Sequence, residues 1–230
     1  MTDRHLWLLP ESAVDAFITR MGGWDLLTDG ERARCERPLA PQVRRRRLAA
    51  RLLARHALSA RSGRPPDVWR FRTTAHGRPE PRPPHQGLRF NLTHTDGLIA
   101  CVVTDGDRAC GVDAERSPAA PDALTHLPRF FAEAERAELA GAADGERAAL
   151  VAAYWVLKEA YLKALGTGLR RDLSTFAFTR PRGGTPRVRD PQGPADHWHF
   201  DLIRPTSRHV LAVATERSRP AGLDTTTLFG

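Results

Sequence analysis

The sequence predicts an α+β protein made of two similar lobes related by a pseudo-twofold axis, with the functional site expected in the cleft between them. Three observations carry this expectation. The order of a long helical stretch, a short strand-like run, a Pro/Gly-rich loop and a hairpin occurs twice along the chain. Setting FNLTHTDGLIACVVT (90–104) beside FDLIRPTSRHVLAVAT (200–215) shows the same opening, Phe then an amide or acid then Leu, and the same apolar return strand one residue out of step. The length, 230 residues, suits one large domain or two small ones. The lobes are expected at 1–106 and 107–230, joined at the polar turn Asp105–Asp107.

Residues 44–60 place Leu48, Leu52, Leu53 and Leu58 at near-helical spacing with arginines elsewhere, which predicts an amphipathic helix with a basic surface. Gly63-Arg64-Pro65-Pro66 ends it, Val68–Arg72 reads as a strand, and His76-Gly77-Arg78-Pro79 reads as a turn. The stretch Pro79–Pro84 reads as a loop. Leu88–Leu92 and Leu98–Thr104 are rich in strand formers and flank Thr93–Gly97, the expected hairpin connection. In the second half a helical pattern runs from Glu146 to Leu165 and stops at Gly166-Thr-Gly168. Phe176–Thr179 reads as a strand, Pro181–Pro194 as a loop, and Trp198–Ile203 with Val210–Thr215 as a second hairpin.

Basic residues number 35 against 27 acidic ones, and the net charge of +8 requires that a polyanionic partner be considered: nucleic acid, acidic protein or a phosphorylated small molecule. Only two of the 35 are lysines, Lys158 and Lys163, five residues apart on one predicted helix. In a chain that writes arginine almost everywhere, this points to a site that needs an ammonium. No apolar run approaches the roughly 18 residues of a membrane span. The apolar patch Leu6–Leu9 is too brief for a signal peptide, and Cys35, Cys101 and Cys110 lack metal or redox spacing, so a reduced cytoplasmic protein is expected.

If Gly111-Val-Asp-Ala-Glu115 is extended, alternation puts Asp113 and Glu115 on one face, about 6.6 Å apart along the strand. Two such carboxylates are either solvated at a surface or share a hard divalent cation. Glu159 lies four residues before Lys163, on one helix face, and apolar neighbours on several sides of that helix predict burial. Glu159 could then supply a third carboxylate to a cation held by Asp113 and Glu115. Magnesium suits such a site, because it takes a few carboxylates, waters and a substrate phosphate, and a nearby lysine would neutralise phosphate charge during transfer. His94, between two threonines, reads as a turn residue or a phosphate donor, and Arg44–Arg47 as a solvated helix face or a phosphate-binding one.

Taken together, Phe90-Asn-Leu-Thr-His-Thr-Asp-Gly97, Gly111-Val-Asp-Ala-Glu115 and Trp155-Val-Leu-Lys-Glu-Ala-Tyr-Leu-Lys-Ala-Leu-Gly-Thr-Gly-Leu169, with Glu159 lying 44 positions after Glu115, resemble the 4′-phosphopantetheinyl transferases of the larger, surfactin-synthetase-activating type. The resemblance extends loosely over nearly the whole chain and agrees with a duplicated α+β fold. It implies Mg²⁺-dependent transfer of the phosphopantetheine arm of coenzyme A to a serine of an apo acyl or peptidyl carrier protein, releasing adenosine 3′,5′-bisphosphate. It further implies that Asp113, Glu115 and Glu159 hold the metal and that Glu159 helps deprotonate the carrier serine. Lys163 would bind the pyrophosphate and steady the leaving group, with Lys158 as a phosphate neighbour. Thr93 and His94 would contact coenzyme A phosphates, and Arg46 and Arg78 would supply further basic contacts, the alignment over Arg44–Arg47 being open to a slip of one.

Threonine stands at 93 and 95 where the family uses serine, and Ala114 stands between the acids where larger apolar residues are common. Neither change removes a required chemical group. A docking surface for carriers is expected on Arg129–Phe131 and the preceding loop 117–128, and the chain is expected to be a monomer without membrane or nucleic-acid partners. The competing reading is a non-catalytic nucleic-acid-binding protein that uses the arginine helix, although no aromatic-interleaved basic stripe supports it.

Overall fold

The computed structural model of the chain describes residues 2–36, 40–74, 77–82, 87–180, 184–193, 197–216 and 222–229. It is an α+β structure of two compact units, Met1–Asp107 with Gly222–Gly230, and Arg108–Ala221.

The first unit opens with strand β1 (Arg4–Pro10), helix α1 (Val14–Met21) and helix α2 (Asp29–Cys35). Helix α2 begins in a reciprocal cap, in which Thr28 accepts the Glu31 N–H and the Glu31 carboxylate accepts the Thr28 N–H. Helix α3 (Pro41–Ser62) is the predicted basic helix. Pro41 sits in its first turn, where a missing N–H costs nothing, and Gly63 closes it at φ +72°. Its apolar stripe, from Leu48 to Leu58, packs on the hairpin β4 (Arg89–Thr95) and β5 (Leu98–Thr104). Every residue of β5 is buried, as its unbroken apolar run requires of a central strand.

Between α3 and the hairpin lie two three-residue strands, β2 (Phe71–Thr73) and β3 (Pro79–Pro81), which pair antiparallel. The expected strand Val68–Arg72 is thus shifted: Pro66–Val68 forms a 3-10 turn instead, initiated by the two prolines. Pro79–Pro81, expected in a loop, pairs as an edge strand; Pro83 and Pro84 of that loop, and His76 of the expected turn, lie outside the described residues.

The second unit repeats this order. Strand β6 (Cys110–Arg116) is followed by helix α4 (Pro121–His126), helix α5 (Glu133–Gly141) and helix α6 (Asp144–Leu165), the last capped by Gly166 at φ +73°. Two short strands, β7 (Ala177–Thr179) and β8 (Arg187–Arg189), then pair antiparallel ahead of the hairpin β9 (Trp198–Thr206) and β10 (His209–Glu216). β8 falls inside the expected loop Pro181–Pro194, of which 181–183 and 194 lie outside the described residues.

The topologies correspond over three strands of each sheet, the first sheet having one more. The first sheet runs β1-β5-β4 and the second β6-β10-β9, each with the hairpin's return strand in the middle and a 22-residue helix packed against it. The one-residue offset in sequence has a structural source. Phe90 pairs with Val103 and Phe200 with Ala214, one residue further on, and the difference is taken up by a register shift between His209 and Leu211.

One segment departs from the expected division of the chain. β11 (Asp224–Thr227) pairs parallel with β1, and Leu228 N–H donates to Leu8 C=O at 2.9 Å, so residues 222–230 belong to the first unit rather than to a lobe spanning 107–230. No described helix is long and apolar enough to cross a membrane.

Candidate active site

The acidic residues of β6 are placed by a close backbone approach. A Cβ on Gly111 would lie 2.0 Å from the Ala160 carbonyl oxygen and 2.5 Å from the Ala164 nitrogen, so only glycine lets α6 press this far onto the strand. Alternation from Gly111 then turns Asp113 and Glu115 to the same side. The Lys163 ammonium, one turn beyond Glu159, donates to Asp113 Oδ1 at 2.7 Å and to the Val112 carbonyl at 3.0 Å.

Glu159 has the most informative environment. Its Oε1 is buried and accepts no hydrogen bond. Burial raises its carboxyl to about 7, Asp113 and Glu115 push the same way by repulsion, and Lys163 opposes them. A carboxyl in that range exchanges a proton near neutral pH, as a general base must.

The donor chemistry fits a hard divalent cation. Asp113 and Glu115 act electrostatically on Glu159, which has a buried oxygen whose lone pairs no donor meets. Among the described residues, however, no three His, Cys, Asp or Glu side chains converge on a common ligand position. Lys163 is the group drawn to Asp113.

Lys158 corrects an expectation. It is fully buried, and its ammonium donates to Leu173 C=O at 2.8 Å and Phe176 C=O at 2.7 Å while pairing with Glu135 at 2.8 Å. Three acceptors use all three protons, so it is an internal tie and not a phosphate neighbour. Burial works against both charges, raising the Glu135 carboxyl and lowering the Lys158 ammonium, and the hydrogen bonds offset it.

Thr93 and His94, expected in the hairpin connection, are instead part of β4, with the turn confined to Asp96-Gly97. Strand alternation buries Thr93 and exposes His94. Both line a cavity of about 320 Å³ together with Arg34 of α2 and Arg47 and Arg51 of α3. Arg46 faces elsewhere: its guanidinium grips Glu11 through two bonds of 2.7 and 2.8 Å and reaches Asp96 at 2.5 Å. Arg78 donates to Phe90 C=O at 3.3 Å, and it is the adjacent Pro79 that lines the cavity. The basic lining of the cavity is therefore Arg34, Arg47 and Arg51. The i, i+4 spacing of the last two was readable in the sequence; Arg34 was hidden in a short helix whose one signal is Thr28-x-x-Glu31.

Phe131 is fully buried against Tyr154 and Lys158, so of the expected docking surface Phe130 carries the exposed ring, with Arg129 stacked on it at 4.7 Å.

The family model for the 4′-phosphopantetheinyl transferase superfamily matches residues 109–214, which span β6 to β10 and include Asp113, Glu115, Glu159 and Lys163. A 4′-phosphopantetheinyl transferase of Nostoc sp. is 32% identical over 73% of this chain and 70% of its own length. A phosphopantetheinyl transferase of Thraustochytrium sp. is 28% identical over 93% of this chain and 82% of its own. Among solved structures, the holo-[acyl-carrier-protein] synthase of Thermotoga maritima aligns at a TM-score of 0.40, with 24% identity over 48% of this chain and 64% of that one. The Nostoc relative shares its identical positions across most of both sequences, and on that ground the chain belongs to the 4′-phosphopantetheinyl transferase superfamily.

Proposed function

We propose that the chain transfers the 4′-phosphopantetheine arm of coenzyme A to a serine of apo acyl or peptidyl carrier proteins and releases adenosine 3′,5′-bisphosphate. The observation that carries this reading is the placement, on β6 and α6, of a buried carboxyl with an unmet oxygen, under the influence of two further acids, near the ammonium that pairs with Asp113. A weak oxygen nucleophile and an anionic leaving group need that combination.

In the proposed reaction the serine oxygen attacks the pyrophosphate phosphorus that bears the pantetheine arm, and the bond from that phosphorus to the adenosine bisphosphate oxygen breaks. Glu159, directly or through one water, takes the serine proton. Lys163 moves from Asp113 Oδ1, 2.7 Å away, to the pyrophosphate oxygens and steadies the leaving group. Asp113, Glu115 and Glu159 are the residues that would hold Mg²⁺, which when bound neutralises pyrophosphate charge. The cavity of Arg34, Arg47, Arg51, Thr93 and His94 gathers three guanidiniums, whose charge suits a phosphate such as the 3′-phosphate of coenzyme A. Phe130 and Arg129 offer an apolar and basic contact for a carrier protein.

The direct test is mass spectrometry of a panel of apo carrier proteins incubated with this protein, coenzyme A and Mg²⁺. A phosphopantetheine mass gain on at least one carrier is expected, and no gain on any of them would overturn the reading. Glu159→Gln and Asp113→Ala are expected to lower transfer by at least about a hundredfold, the usual worth of a general base or a key charge. Near-normal turnover in either would remove that residue from the site.

A further inference from the structure

Each unit ties a short helix to its long helix through a buried acid–base pair of the same construction. In the first unit Glu31, at the third position of α2, closes the cap with Thr28. The fully buried Arg55 guanidinium donates to its two carboxylate oxygens at 2.7 and 3.2 Å. That guanidinium lies 4.9 Å from the ring centroid of Phe71, the first residue of β2. In the second unit Glu135, at the third position of α5, accepts the Ala132 N–H at 2.9 Å, receives the Phe178 N–H at 2.8 Å and meets the buried Lys158 at 2.8 Å. The Lys158 ammonium lies 4.4 Å from the centroid of Phe176, the residue before β7. Arg55 and Lys158 are each the fifteenth residue of a 22-residue helix.

The correspondence of capping glutamate, buried cation, helix position and aromatic ring was not visible by aligning the two halves, because one cation is arginine and the other lysine. Stability is a weak reason for such pairs, since well-packed apolar side chains of similar volume do as well or better. Placement is the better reason, because each pair fixes the depth and rotation of a short helix beside residues assigned to the reaction. Three positions beyond Glu31 on α2 is Arg34, a wall of the arginine cavity. Immediately after Lys158 on α6 comes Glu159.

We propose that the two pairs are positioning clamps with separate outputs: Glu31–Arg55 holds α2 so that Arg34 stays in the anion cavity and sets coenzyme A affinity, whereas Glu135–Lys158 holds α6 so that Glu159 and Lys163 stay opposite Asp113 and sets the rate of transfer. This rests on the transferase reading above. The residues of both clamps are positioning residues, since neither pair reaches the cavity or the acidic cluster itself.

The test uses the full chain with both charges of a pair removed together, Glu31→Gln with Arg55→Met, and Glu135→Gln with Lys158→Met. Glutamine keeps the capping acceptor, and joint removal leaves no lone buried charge. Amide hydrogen exchange over 29–35 and 133–141 reads the clamps without reference to activity. Steady-state kinetics with coenzyme A, Mg²⁺ and an apo carrier reads their outputs. The first pair is expected to speed exchange in 29–35 and raise KM for coenzyme A about tenfold, with kcat changed by less than about twofold. The second is expected to speed exchange in 133–141 and lower kcat about tenfold, with KM held within about twofold. Equal effects of both pairs on KM and kcat, faster exchange with unchanged kinetics, or a paired variant that cannot fold would each overturn the proposal. If the wild type transfers to no carrier while both segments exchange faster as expected, the clamps stand as helix locks and the transferase reading is what fails.

Discussion

At the scale of single residues, the decisive position carries no functional group. Gly111 brings the backbone of β6 so near α6 that one methyl would overlap the Ala160 carbonyl. Backbone atoms cannot rotate away as a flexible side chain can, so Gly111→Ala must push helix and strand apart. It is expected to cost about 3 kcal/mol in chemical denaturation, the upper range of overpacking, and to abolish transfer by moving Glu159 and Lys163 off Asp113. A variant with native stability and turnover would show that the strand and helix have slack. The sequence pointed to the acids that follow this glycine through their alternation, but not to the glycine's role, because a close approach between elements leaves no mark in the pattern of either one. Lys158 departs from its expected place beside a phosphate for a related reason. Its proximity to Glu159 suggested a shared task, yet adjacent helical residues point about 100° apart, and the side chain turns inward to Glu135.

At the scale of elements, the long helices and the two hairpins were legible because each carries a clear period: Leu48 to Leu58 at helical spacing, and continuous apolar runs bounded by turns at 98–104 and 210–215. Helices α1, α2, α4 and α5 are six to nine residues long, too short for periodicity to separate them from loops, and β11 has the sequence Asp-Thr-Thr-Thr, whose strand state comes from pairing with β1. Contacts between distant segments also decide the response to acid. Asp190, just after β8, accepts the Tyr161 hydroxyl of α6 at 2.7 Å, two bonds from Arg171 at 2.8 and 2.5 Å and the Gln192 N–H at 2.9 Å. Burial alone would raise its carboxyl, but Arg171 and Tyr161 outweigh burial and hold it below the ordinary value of 3.8. A carboxyl depressed in the folded state contributes stability above its unfolded pKa and loses it as pH falls through the folded value. Asp190→Asn is therefore expected to lower stability by about 3 kcal/mol at pH 7, as for a broken buried pair. In urea titrations the gap to wild type should begin to narrow near pH 4 and close below it. A gap that stays constant down to pH 2 would mean that Asp190 is held by packing and not by its charge.

At the scale of the whole molecule, the question posed by the net charge of +8 turns on which arginines are already committed. Arg45 and Arg46 of the basic helix pair with Asp15 and Glu11, and Arg55, Arg61 and Arg171 pair with Glu31, Asp105 and Asp190, so these five guanidiniums are matched locally and the excess of +8 rests on other basic residues. Arg34, Arg47 and Arg51 instead line one cavity beside Thr93 and His94, a pocket for a compact anion rather than a stripe for a polymer backbone. General attraction and a shaped site are separable, because general attraction acts on any anion and is screened over roughly 8 Å at physiological salt, whereas a cavity acts only on the group that enters it. Coenzyme A and its analogue lacking the 3′-phosphate make that distinction. Wild type is expected to show a KM for dephospho-coenzyme A about tenfold above that for coenzyme A, the worth of roughly one charge-assisted hydrogen bond. Arg34→Ala with Arg47→Ala should raise KM for coenzyme A to the dephospho level, leave KM for dephospho-coenzyme A unchanged and leave kcat within about twofold, because the lost contact is made equally in the ground and transition states. If the double variant weakens both substrates alike at every ionic strength, the arginines act as diffuse charge, and the 3′-phosphate must be assigned to other residues.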